Sequence, residues 1–592
     1  MASLRPSKVR HLMGMVAIAT LLVILYLRAT VSTRIDEDDT VLAGIRNFAR
    51  EPGHLQPHLE KHDQNSGKPI NDRERFEQES VFADHHRQLG LQQSNSCPEY
   101  GRYASLPHHP LSEGPLRLPF QRPTVECRTF HSDSVEKTIE DMKKKISDPD
   151  LARLFENCFP NTIDTTIAWH VNATQEAKPQ TFVVTGDINA EWLRDSHRQL
   201  QPYQRLAKDD AALHQLILGA INTQVDMVIA APYCNAFNPP RGSGLISPPY
   251  NPEDAVRPRV NHRVVFECKY ELDSVASFLG LSNDFYRATG DKSFVNERWI
   301  LAVETILQLM EDQSMPTYGE NGEGTAQNTR YSFQRETTIG TETLNLGGAG
   351  NPVNANISLI RSAFRPSDDA TIHQFFIPAN AQISVELSRA AELLADSGNP
   401  VLSKTLKDWS IVLREAVMEH GTYENKVFGK VFAYEVDGFG AITNMDDANI
   451  PSLLSLPDLG FIDKHDPIYL NTRKMILSKR GNPYYLKGNW FYGVGGPHIG
   501  TRNAWPMSHL VAIRTTDDEN EMEELLDVIK KSTAGLGLMH ESVNVDIPFS
   551  YTRSWFAWAN SEFAKTIFDV AERKPHLIFY DDPLRMEDKP KL

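Results

Sequence analysis

The sequence predicts an all-α fold, a helical toroid with a few short β-hairpins. Three observations carry that prediction. Long segments with apolar residues three and four apart recur through most of the chain. No βαβ alternation accompanies them, which argues against doubly wound and TIM-barrel architectures. Between the helical segments lie polar, Gly- and Pro-rich stretches dense in Trp, Asp, Arg and His. Loops of that kind, gathered at one end of an α/α barrel, would build a single pocket.

At the N-terminus, Arg5, Lys8 and Arg10 precede an apolar run from Leu12 to Leu27. The charges keep that end in the cytosol, and no small-x-small cleavage site follows the run. Residues 1–28 are therefore expected to be a cytosolic tip and signal anchor, with the rest of a single-pass type II protein in the secretory pathway (Golgi or ER lumen). A cleaved signal peptide, and hence a secreted protein, is the alternative. Two sequons, Asn172-Ala-Thr and Asn356-Ile-Ser, agree with a lumenal location. The five cysteines at 97, 127, 158, 234 and 268 allow one or two disulfides in an oxidising lumen with one thiol left over, and their spacing fits no zinc site. Residues 29–96 are polar without sustained apolar period and are expected to form a disordered stem. The folded part is predicted over 97–582, with 583–592 a loose tail.

Within the folded part, helices are expected at "SVEKTIEDMKKKI", opened by a capping signal at Ser134, and at "DAALHQLILGAINTQVDMVIAA", "DSVASFLGLSNDFYRAT" and "ERWILAVETILQLMEDQ". Further on, the same period marks "AQISVELSRAAELLADS", "LSKTLKDWSIVLREAVMEH", "ENEMEELLDVIKKST" and "WFAWANSEFAKTIFDVAE". Two strand-like pieces, "HRVVFECKYEL" and "KVFAYEVD", are too few for a large sheet.

A net charge of −16 argues against a nucleic-acid partner, whose phosphates call for a basic surface. The sequence contains no P-loop, no H-E-x-x-H and no G-x-S-x-G, and "GVGGPHIG" has its glycines misplaced for a dinucleotide loop. What remains is carboxylates and aromatics. In "TGDINAEWLRDSHRQ", Trp192, Asp195 and Gln199 share one helical face poor in aliphatics, with Asp187, Glu191 and Arg194 close by. That face is either solvated, with a partly buried Trp and an Arg–Asp pair, or a sugar-binding wall. "FRPSDDA" offers Asp368 and Asp369, adjacent like charges of which one could be a raised-pKa acid, or simply helix caps. "LMHES" offers Glu541 beside His540, and "MDDAN" offers Asp446 and Asp447, for which a turn is the plain reading.

Taken together, "TGDINAEWLRDS", "CKYELDS", "FRPSDDA", "DDANIPSLLSLP", "GGPHIGTRNAWPMS", "LMHES" and "TRSWFAWANS" resemble glycoside hydrolase family 125, the exo-α-1,6-mannosidases. The segments fall in family order across roughly residues 97–570, and the N-terminal anchor and stem resemble the fungal membrane-anchored branch. The resemblance implies an (α/α)6 barrel and an inverting hydrolase that removes terminal α-1,6-linked mannose from glycans, with no metal and no cofactor. It puts the general acid at Asp368 or Asp369, with Asp368 preferred, and the general base at Glu541. It puts Trp192, Arg194 and Asp195 around the terminal mannose, with Asp273, His498, His540 and Arg553 as further candidates for the same wall. Another exo-α-glycosidase on the same barrel, or an inactive glycan-binding protein, are the alternatives.

Overall fold

The computed structural model describes residues 97–319, 330–354 and 356–580. The expected anchor and stem (1–96) and the tail (583–592) lie outside the described residues. No helix among the described residues is long and apolar enough to cross a membrane.

Twelve helices of eight or more residues organise the described chain. They are α1 (Asp133–Lys145), α2 (Pro149–Cys158), α3 (Leu193–Leu200), α4 (Ala211–Ala230), α5 (Leu272–Thr289) and α6 (Glu297–Ser314). The rest are α7 (Ile377–Asp396), α8 (Pro400–His420), α9 (Pro467–Ile476), α10 (Pro506–Arg514), α11 (Glu519–Lys531) and α12 (Ala557–Arg573). An inner ring runs α12, α3, α5, α7 by direct packing, and α10 closes it against α12. Between α7 and α10 the inner position is held by turns at residues 452–460. There Arg389 on α7 donates to the Leu459 carbonyl, and Arg514 at the end of α10 pairs with Asp458. Outer helices follow their inner partners, α4 after α3, α6 after α5, α8 after α7 and α11 after α10, while α2 packs on α12 and joins the two ends of the ring. This is an α/α barrel.

Inner and outer helices begin differently. Each outer helix is capped by a side chain that accepts backbone N–H bonds in the first turn: Ser132, Asp148, Asp210, Asn296, Asn399, Asp466 and Asp518. The inner helices have none. Their capping positions are Trp192, Glu271, Phe376, Trp505 and Phe556, and their first turns are met by neighbouring strands. Leu193 N–H donates to the Asn235 carbonyl, and Ile377 N–H donates to that of Tyr434.

Three small antiparallel sheets sit at that end of the barrel. The first joins β1 (Glu191–Trp192), β2 (Ala236–Phe237) and β3 (Val265–Glu267), the second β4 (Phe375–Phe376), β5 (Glu435–Val436) and β6 (Ile442–Thr443). The third joins β7 (Asn503–Ala504), β8 (Ser542–Asn544) and β9 (Tyr551–Thr552). In each sheet one strand, β1, β4 or β7, leads into an inner helix, so the residue at that junction is held from both sides.

Several local expectations are corrected. The cap of α1 is Ser132, not Ser134; Ser134 stands in the first turn and donates to Asp210, the cap of α4. "HRVVFECKYEL" keeps only β3 extended, because Cys268 is bridged to Cys234 and the helix starts at Leu272. "KVFAYEVD" divides into two strands with different partners. Helices α2, α9 and α10 were not anticipated, and α10 is buried along its whole length, so it has no amphipathic stripe to read. Two disulfides, Cys97–Cys127 and Cys234–Cys268, leave Cys158 as a buried free thiol.

Candidate active site

The junctions between sheets and inner helices surround an open cavity, with about 470 Å³ of empty space counting its solvent-filled mouth. Three helix-capping residues, Trp192, Trp505 and Phe556, line it together with Trp558 and Ile188. The polar lining comes from Arg194 and Asp195 in the first turn of α3, from Ser367 and Asp368, and from Asn449, His498, Glu541 and Arg553. The indole N–H groups of Trp192, Trp505 and Trp558 are buried and have no hydrogen-bond partner among the described residues. Buried indoles ordinarily find one.

Asp368 stands at the tip of a tight loop. Phe364 and Ala370 form an antiparallel bridge, Arg365 N–H donates to the Asp369 carbonyl, and Asp368 N–H donates to the Arg365 carbonyl. The loop is anchored from below by buried Arg365, whose Nε donates to Glu435 on β5 at 2.6 Å. Asp368 has φ 66°, the left-handed region that costs a side chain about 1 kcal/mol or more. Arg553, across the cavity, has φ 56°. Gly186, φ 142°, lets the loop before Trp192 run against Trp555, because a Cβ there would lie 2.9 Å from the ring.

Glu541 precedes β8 and faces Arg553, which follows β9; Nε lies 3.4 Å from Oε1. Arg553 also donates to Asp187 in the loop before Trp192, tying the two sides of the cavity together. Adjacent residues in extended chain point to opposite sides. Glu541 therefore enters the cavity while His540 turns away, stacking on Tyr551 with ring centroids 4.0 Å apart and bonding the Arg553 carbonyl through Nδ1.

The electrostatics are dominated by carboxylates. Arg194 lies 2.6 Å from Glu271, 3.2 Å from Asp195 and 3.4 Å from Asp273. Burial pushes Asp195 and Asp273 up to about 6 despite that guanidinium, and Glu271 well above the usual carboxylate range. For Asp368 burial acts in the same direction, but Lys269, Arg194 and His498 outweigh it and hold its carboxyl below the usual value. His498 is disfavoured as a cation by burial, yet Asp369, 3.7 Å from Nδ1, raises it to about 9. Among the described residues no group of three or more His, Cys, Asp or Glu side chains is arranged to hold a metal ion.

The structure therefore brings Trp192, Arg194, Asp195, Asp368, His498, Glu541 and Arg553 to one cavity. Three candidates are not on its wall. Asp273 is fully buried behind Arg194, and His540 is buried behind Arg553. Asp369 accepts from Ser367 and faces His498, one layer out from the cavity surface. The solvated-face alternative for residues 192–199 does not hold: Trp192 is extended, the helix begins at Leu193, and every residue of α3 is buried. Asp446 and Asp447 serve a turn, Asp446 accepting from the Leu453 and Leu454 amides. Sequence reasoning passed over Glu271, Asn449, Trp505, Phe556 and Trp558. The Trp-rich segments "AWPMS" and "SWFAWANS" carried the available signal, since both end in a buried helix start.

Residues 148–568 match the family described as metal-independent alpha-mannosidases, glycoside hydrolase family 125. The chain is 57% identical over 483 residues to the meiotically up-regulated gene 157 protein of Schizosaccharomyces pombe, covering 82% of this chain and 94% of that protein. It is also similar to a metal-independent α-mannosidase of Streptococcus pneumoniae, solved as a non-productive complex with alpha-1,6-mannobiose. That likeness has a TM-score of 0.68 and 32% identity, and covers 75% of this chain and 99% of the bacterial one. A match that spans most of the described barrel, cavity residues included, makes this chain a member of glycoside hydrolase family 125, the metal-independent α-mannosidases.

Proposed function

We propose that the protein is an exo-acting, inverting α-mannosidase that removes non-reducing terminal α-1,6-linked mannose from glycans. The observation that carries the reading is that Asp368 and Glu541, on separate loops, line one cavity with Trp192, Trp505 and Trp558. Asp368 protonates the glycosidic oxygen as the bond to C1 breaks, and Glu541 takes a proton from the water that attacks C1 from the opposite face. Inverting hydrolases separate these carboxyl groups by about 6.5–9.5 Å to admit that water. The indole N–H groups and Arg194, Asp195 and Arg553 supply donors and acceptors for the sugar hydroxyls. His498, kept cationic by Asp369, holds a hydroxyl near the scissile bond.

The test is proton NMR of the enzyme with 1,6-α-mannobiose, followed in real time. Early β-mannose supports the exo-mannosidase reading and inversion together. Early α-mannose means retention and reassigns Glu541. Silence on 1,6-, 1,2- and 1,3-linked substrates, with binding retained, would leave a glycan-binding protein. Release of glucose rather than mannose would mean a different exo-glycosidase.

We also propose that residues 1–28 anchor the protein with its barrel in the secretory lumen, on a stem formed by 29–96. Two disulfides and the surface exposure of Asn172 and Asn356 support that reading. Glycosidase-sensitive mobility and protease protection of the barrel in sealed microsomes are the expected results. Full protease sensitivity in sealed vesicles would reverse the topology.

A further inference from the structure

A general acid must carry a proton when substrate arrives, yet Asp368 is surrounded by Lys269, Arg194 and His498, which favour its anion. The proton has to be kept elsewhere. Glu271, the capping residue of α5, is fully buried and lies against Asp368. One side-chain nitrogen, Asn235 Nδ2, donates to Asp368 Oδ1 at 3.1 Å and to Glu271 Oε1 at 3.3 Å, so the two carboxyl groups share a donor. The other Glu271 oxygen accepts from Arg194 at 2.6 Å and from Ser274 at 2.9 Å.

Charge counting makes the same point without reference to any titration. Arg194 is contacted by Asp195, Glu271 and Asp273, and Asp368 adjoins this group through the Asn235 amide it shares with Glu271. Lys269, the other buried cation here, is 3.4 Å from Glu267 and thus already paired. Across the cavity, Arg553 is engaged by Asp187 and Glu541, and His498 by Asp369. Three carboxyl groups on one buried guanidinium, with a fourth sharing a donor with one of them, crowd like charges so closely that ionising all four is disfavoured.

We propose that Glu271 and Asp368 share one proton, with Glu271 as its resting site, and that Glu271 hands it to Asp368 when the sugar binds. Glu271 is thus a positioning residue that acts through Asp368. Sugar binding strips water from Asp368, the one member of the pair that lines the cavity, and so favours its neutral form. Arg194 sits against Glu271 and stabilises the anion left there. The proton leaves Glu271, Asp368 passes it to the glycosidic oxygen, and the leaving sugar departs as an alcohol. The proton taken by Glu541 from water returns to solvent, and the pair is recharged through the open cavity.

The inference rests on the proposed hydrolase reading, and the experiment separates the two. Wild type and Glu271→Gln are compared in kcat/KM against pH, on 1,6-α-mannobiose and on α-mannosyl fluoride, whose leaving group needs little protonation. Wild-type hydrolysis of mannobiose tests the hydrolase reading by itself. For E271Q, whose neutral amide donates to Asp368 but lends no proton, the basic limb for mannobiose moves at least about one pH unit down. At pH 7 that is about a tenfold loss per unit on mannobiose, with the fluoride rate nearly unchanged. An unmoved limb, or equal losses on both substrates, overturns the proposal. Should E271Q not fold, infrared spectra of wild type and Asp368→Asn decide. A protonated-carboxyl C=O band at neutral pH that changes frequency in D368N supports the shared proton, and a band indifferent to that change overturns it.

Discussion

Helix α3 carries two arginines one turn apart, and each belongs to a different kind of buried charge cluster. Arg198 points to the far end of the barrel. There Arg514 lies 2.6 Å from Glu562 and 3.0 Å from Asp458, and Lys565 is 3.0 Å from Asp458. Two carboxylates are shared among three cations, because Asp569 nearby is taken up by Arg573. Burial would raise both carboxyls, but Arg514 and Lys565 reverse it and hold Asp458 and Glu562 below their usual values. Arg194, at the cavity end, faces the opposite excess, and there Asp195, Glu271 and Asp273 are all pushed up. Cation excess locks charges in place and ties α10, α12 and the 452–460 turns together. Carboxylate excess, together with burial, raises the carboxyls at the cavity end and so favours their neutral forms.

The comparison breaks most visibly at the cavity end. Glu541→Gln and Asp368→Asn should each lower turnover on 1,6-α-mannobiose by about 10²–10⁴-fold without changing the urea midpoint. In D368N the loss should shrink on α-mannosyl fluoride, and in E541Q it should not. Near-normal activity in either variant would remove that residue from the mechanism.

At the far end the effect should be on stability alone. Arg514→Met leaves Asp458 and Glu562 with Lys565 and Arg198 only, and removing one partner of a buried ion pair costs about 3–5 kcal/mol. Denaturant unfolding should show that loss, while kcat/KM of the folded fraction stays within about twofold of wild type. A fall in kcat/KM matching that of D368N would mean the two clusters are coupled.

A smaller effect sharpens the contrast through pH. Glu191, under Trp192, is pushed up to about 7 by burial, which outweighs the hydrogen bonds it accepts from the Val183 amide and Gln224. A carboxyl raised on folding binds more protons in the folded state, so its contribution favours folding at low pH and is lost as pH rises from about 4.5 through 7. Glu191→Gln should therefore raise the melting temperature at pH 7.5 relative to pH 5 by roughly 2–4 °C compared with wild type. An unchanged pH dependence would place the titration elsewhere. The smallest expected effect is none: excess EDTA should leave hydrolysis undiminished, and calcium-restorable loss would contradict a metal-independent reaction.

Much of both rings was legible in the sequence: the outer helices α1, α4, α6, α8 and α11 and the inner helices α5, α7 and α12 follow from apolar period, whereas the outer helices α2 and α9 and the inner helix α10 do not. The outer helix α11 announces itself with Asp518 at the cap and one apolar face, Met522, Leu525, Leu526 and Ile529, toward the core. Inner helices α3 and α10 are buried on every side and begin at Trp192 and Trp505, which no capping rule anticipates. The same difficulty explains the site. Trp192, Arg194, Asp368 and Glu541 were found because their segments form an ordered set resembling one family. Asp273 was preferred to Glu271 because position within "CKYELDS" does not reveal which carboxyl reaches Asp368 and which stops behind Arg194.

The sequence by itself determined a predominantly helical toroid with a few short strands, the family resemblance and the segments proposed to supply the acid and the base. Those follow from local period, turn chemistry and residue order, all properties of neighbours along the chain. Only the tertiary structure decided that His540 turns away from Glu541, that Asp369 serves His498, and that Glu271 and Asp368 share a donor. Among those relations, Asp369 with His498 joins residues 129 positions apart, and all of them depend on burial. Removing water from the site makes a few tenths of a nanometre decide which carboxyl is ionised and which keeps its proton.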